Sequence, residues 1–121
     1  MKTRIAVMGF ALAGMFSASA FAADAAQVAR GKATYENWCA TCHAGGPVEG
    51  GRLLPGTSSL LMKYKGQRPG ALDERTDLLA PYIQVIVRQG TGGMPFFRKT
   101  EVSNKELDDI AAYLTRNVKA P

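Results

Sequence analysis

The chain has 121 residues, with 15 basic and 10 acidic side chains, a formal net charge of +5, two cysteines and one histidine. That length holds one domain at most. The mild positive charge is too small and too dispersed for a nucleic-acid binder, though it suits an acidic protein partner.

Lys2 and Arg4 precede an uncharged apolar stretch, Ile5 to Phe16, and small residues lead to Ala20-Phe21-Ala22. This order reads as a cleaved secretory signal peptide over residues 1–22, leaving a single domain at 23–121. A spanning helix needs about 20 mostly apolar residues, and Gly9, Gly14, Ser17 and Ser19 dilute this one. The mature part keeps 13 basic and 10 acidic side chains, a net +3. Export to the periplasm implies that two free thiols would not stay reduced, so the cysteines need a chemical fate.

The mature chain opens with a predicted helix from Asp24, a plausible N-cap, to about Trp38. Val28, Tyr35 and Trp38 share one face, and Gly31 interrupts the helix where another backbone can approach closely. Residues 44–56, "AGGPVEGGRLLPG", hold five glycines and two prolines and read as a loop. "TSSLLMKYKG" suits a short helix starting at Thr57 or Ser58. "QRPGALDERTD" reads as irregular; its basic residues and their neighbours (Lys63, Lys65, Arg68, Arg75) form either a docking patch or, more simply, a solvated loop. "PYIQVIVRQG" reads as a helix, with Pro81 at its start, Gly90 past its end and Leu79, Ile83 and Ile86 on one face. A glycine-rich loop surrounds Met94. The last element carries a capping box, Ser103 with Glu106, a Val102–Leu107 staple, and a stripe of Leu107, Ile110, Ala111 and Leu114. With no convincing strand, the fold class is all-α: three principal helices joined by long loops.

The chemistry concentrates in "WCATCH", Trp38 to His43, which holds both cysteines and the sole histidine. Structural zinc wants four thiolate or imidazole ligands, and the chain has three. A redox dithiol usually follows a strand and opens a helix, whereas this pair ends a helix and precedes a glycine-rich loop. Covalent attachment of haem c accounts for every residue of C-x-x-C-H: Cys39 and Cys42 reach the two vinyl groups, and His43 becomes the proximal iron ligand. With no second histidine, the sixth ligand falls to a methionine. Met62 suits a gap-filling core role. Met94, in "GTGGMPFF", sits where glycines let backbone approach a flat ligand and Pro95 limits the swing of the sulfur. Phe96, Phe97 and Trp38 divide between haem contact, partner contact and core, with core the plainer role for Trp38.

In "GKATYENWCATCH", "GGMPFF" and "ELDDIAAYL" the chain resembles the class I cytochromes c. That resemblance implies a fold built around one covalent haem, with the first and last helices crossing at Gly31 and Tyr113. It also implies a proline carbonyl, of Pro55 or else Pro47, accepting a hydrogen bond from His43. The protein would then be a non-enzymatic electron carrier whose partners dock near the haem edge at Cys39 and Cys42. "VRQGTGGMPFFRKTE" is similar to the cytochrome subunits of flavocytochromes that oxidise 4-alkylphenols, the cresol methylhydroxylase type. This implies an FAD-containing subunit as electron donor; the alternative is a free-standing carrier for another periplasmic dehydrogenase or a terminal oxidase.

Overall fold

The computed structural model describes residues 24–119. The signal-peptide reading of residues 1–22 and the domain start at 23 lie outside the described residues. Within them the architecture is all-α, with α1 (Ala25–Trp38), α2 (Ala40–His43), α3 (Pro55–Lys63), α4 (Ala80–Gln89) and α5 (Asn104–Thr115), plus a single 3-10 turn at Leu72–Glu74. The three longest, α1, α4 and α5, are the principal helices read from the sequence. No described helix is long and apolar enough to cross a membrane.

Asp24 caps α1 by accepting a hydrogen bond from the Ala26 N–H at 2.6 Å. The most extensive packing in the molecule joins α1 to α5. A Cβ built on Gly31 would fall 1.8 Å from the Asp109 carbonyl oxygen and 3.0 Å from Tyr113 Cβ, so only glycine fits this approach. Tyr35 and Tyr113 stack obliquely beside it, ring centroids 5.4 Å apart. Ile110, Leu107 and Leu114 of α5 complete the core with Val102. The Asp109 side chain stays buried there because Arg30 (3.0 Å) and Lys105 (2.8 Å) pair with it. The Ser103–Glu106 capping box forms, and Val102 and Leu107 are both buried beside it.

Three local expectations need correction. α3 begins at Pro55, two residues before Thr57, because proline at a first helical position loses no intrahelical bond; the loop therefore ends at Leu54. On α4 the buried residues are Ile83 and Val87, whereas Leu79, at the N-cap, is 63% exposed. Its extended backbone has not yet entered the helical period, so its side chain departs from the face. Met62 is 76% exposed and takes no part in the core.

Candidate functional site

α1 does not simply run on through the C-x-x-C-H motif. Cys39 ends α1 and starts α2, and its carbonyl accepts hydrogen bonds from both the Cys42 N–H (3.1 Å) and the His43 N–H (3.0 Å). One short turn thus gathers two thiols and the imidazole. The chain beyond is tied back by Tyr35, whose hydroxyl donates to the His43 carbonyl at 3.0 Å, and by buried Thr57, whose hydroxyl donates to the Ala44 carbonyl at 2.8 Å.

A cavity of about 670 Å³ opens against this turn. Cys39, Cys42 and His43 line it from one set of elements, and Met94 lines it from the loop after α4. All four residues singled out from the sequence therefore meet at one space, whose size suits a ligand or cofactor. Ile83, Val87, Ile110 and Leu114 supply apolar lining from α4 and α5. Trp38 also lines the cavity and is 43% exposed, so it stands at the rim and not in the core. The two phenylalanines divide: Phe97 is half-buried, lines the cavity and meets Trp38 edge-on at 6.0 Å between ring centroids, while Phe96 is exposed.

Burial governs the ionisation of the motif. The Cys39 thiol is pushed up to about 11 by burial and, secondarily, by Cys42. An exchange-active dithiol needs a thiol depressed toward neutrality, so this environment opposes oxidoreductase chemistry. Burial also lowers the His43 pKa and favours neutral imidazole, the form with a lone pair to give. His43 Nδ1 is buried without a hydrogen-bond partner among the described residues. The proline carbonyl bond implied by the resemblance is therefore not made here. Pro55 opens α3, where a carbonyl is directed along the helix. Gly56 packs on the imidazole, and a Cβ there would stand 2.6 Å from His43 Cε1. Pro47 lies on the exposed loop.

One part of the site escaped the sequence reading. Arg75, taken there for a loop or patch residue, is buried to 3% exposure and lines the cavity. Its Nη2 donates to Asp77 Oδ2 at 2.8 Å, and its guanidinium stands 4.6 Å from the Tyr64 ring centroid. Arg68 pairs with the same carboxylate and Lys63 lies near the same ring. The Arg75 hydrogen bond holds the Asp77 carboxyl below its ordinary range. Of these cations Arg75 and Lys63 line the cavity and give an otherwise apolar space a positive edge, while Arg68, outside the lining, shares the Asp77 carboxylate. The only clue in the sequence was the crowding of basic residues around Tyr64.

The residues 26–114 match the family described as cytochrome c oxidase, cbb3-type, subunit III. The chain belongs to that family. It is accordingly a cytochrome c domain, which carries electrons on covalently bound haem c and works with redox protein partners. No curated protein and no solved structure matches the chain. The cavity of this cytochrome fits its cofactor on three counts. Apolar walls suit a macrocycle, two thiols lie within one turn of an unpartnered imidazole, and the positive edge suits a group bearing two carboxylates.

Proposed function

We propose that this cytochrome relays single electrons through one haem c, joined to Cys39 and Cys42 and ligated by His43 and Met94. The observation that carries the reading is that, among the described residues, Met94 is the sole methionine lining the cavity that the C-x-x-C-H turn also lines. Bound there, haem c supplies a one-electron ferric–ferrous couple, and a neutral thioether ligand favours the ferrous side. Buried neutral His43 offers its lone pair without first losing a proton. Arg75, with Lys63, would hold the haem carboxylates at the positive edge, while Val87, Ile110 and Leu114 exclude water. Exposed Cys42 marks the rim where electrons enter and leave. Residues 1–22 would direct the protein to the periplasm.

Two partner readings follow from different observations. The Met94 loop resemblance favours an FAD-containing subunit that oxidises 4-alkylphenols, with the cytochrome as its electron acceptor. The family description over residues 26–114 favours a carrier that serves a terminal oxidase instead. Mass spectrometry of the exported protein should give one haem that survives acidified organic solvent; extractable haem or none would overturn the cofactor reading. Copurification from the native host separates the partners: a flavoprotein supports the first, an oxidase the second.

A further inference from the structure

The loop bearing Met94 is short of internal ties. Thr91 and Met94 exchange two backbone hydrogen bonds, Thr91 N–H to the Met94 carbonyl at 3.1 Å and Met94 N–H to the Thr91 carbonyl at 2.9 Å. Gly90 makes room for this turn at φ +71°, where a Cβ would stand 2.8 Å from the Met94 oxygen. Beyond Met94, Pro95 has no N–H to give, and the loop is next anchored at Phe97. There the Phe97 N–H donates to the Val87 carbonyl at 2.8 Å, and the Phe97 carbonyl accepts from Arg88 Nη1 at 3.0 Å.

Arg88 reaches further than this one contact. The same Nη1 donates to the Val102 carbonyl at 2.8 Å, and Nη2 donates to Asn104 Oδ1 at 3.0 Å. One side chain in the last turn of α4 thus fastens the end of the Met94 loop and the start of α5. No carboxylate pairs with it among the described residues, so its charge is spent on neutral oxygens. A guanidinium supplies this fork of fixed donors, which an ammonium or amide cannot reproduce.

We infer that Arg88 is a positioning residue that clamps the Met94 loop closed and so keeps the methionine sulfur on the iron. The inference rests on the reading of Met94 as a ligand. A loop held at few points opens locally at lower cost than the core unfolds. Arg88 therefore sets how often an outside ligand finds the iron, apart from any share in overall stability.

The test uses the ferric holoprotein and imidazole as probe, with binding followed by absorption. Arg88→Gln should raise apparent imidazole affinity about tenfold, the low end of what one lost hydrogen bond to a charged group is worth. Arg88→Lys, which keeps charge but not the fork, should fall between it and wild type. Asp109→Asn, which weakens the distant α1–α5 contact, should lower the melting temperature yet leave imidazole affinity within about twofold. The clamp is overturned if Arg88→Gln and Arg88→Lys both bind like wild type. It is equally overturned if affinity merely follows melting temperature across all three variants. Should wild type bind imidazole as readily as Met94→Ala does, the ligand reading itself has failed. If wild type resists, Met94→Ala binds, and the Arg88 variants resist, the clamp alone has failed.

Discussion

Gly31 and Gly90 each let backbone approach closely, and their surroundings differ. Gly31 lies where α1 meets α5, within the buried core beside Tyr35, Ile110 and Tyr113. Gly90 opens a mostly exposed loop, held by a two-bond turn and by ties to Val87 and Arg88. The first region is a frame fixed by apolar burial and close backbone contact. The second is an arm that carries Met94, the proposed ligand, and is fixed by a few polar ties. Stability should therefore be set in the frame and iron chemistry in the arm.

The sharpest way to break this division is Gly31→Val. The added side chain has no room against the Asp109 carbonyl, so the helices must part, at about 3 kcal/mol or more. Denaturant unfolding of the holoprotein measures it, and wild-type stability in the variant would show that the frame does not hold the molecule. Met94→Ala is the complementary probe of the arm. Its reduction potential should fall by on the order of 0.1 V, a fraction of the roughly 0.8 V that axial ligation spans. Its stability should change far less than that of Gly31→Val.

Asp109→Asn should cost about 2 kcal/mol near neutral pH, because buried Asp109 bonds charged Arg30 and Lys105. The Arg30 hydrogen bond, chiefly, depresses the Asp109 pKa. That contribution is present above the unfolded carboxyl value of about 3.9 and is lost as pH falls through the folded value. The gap in melting temperature between wild type and Asp109→Asn should thus close in acid, while their potentials stay alike. The smallest effect belongs to Ser103→Ala, about 1 kcal/mol for one lost helix cap. A larger loss would mean that the α5 start is tied to the arm more firmly than its cap alone explains.

Local signals proved the readable ones. The C-x-x-C-H spacing, the Ser103–Glu106 box and the mid-helix Gly31 all declare themselves within a few residues, and each forms as its chemistry demands. That Met94 lines the cavity could be anticipated because glycines and proline around it left a methionine with no ordinary loop role. What stayed hidden depends on partners distant in sequence. Arg75 looks like any solvated arginine until Tyr64 and Asp77 are folded against it. Tyr35 and Thr57 act on the carbonyls of His43 and Ala44 at the end of the C-x-x-C-H turn, and Arg88 on carbonyls of the segment after α4. Met62 shows the opposite failure: an apolar window suggested burial, but the face of α3 that bears it meets solvent.

Mixing the reduced protein with carbon monoxide tests the central claim most directly, with Met94→Ala run beside wild type. If Met94 closes the iron opposite His43, wild type should resist the ligand while Met94→Ala takes it up readily. Rapid binding to wild type, equal to that of the variant, would contradict the account and leave the iron with an open face.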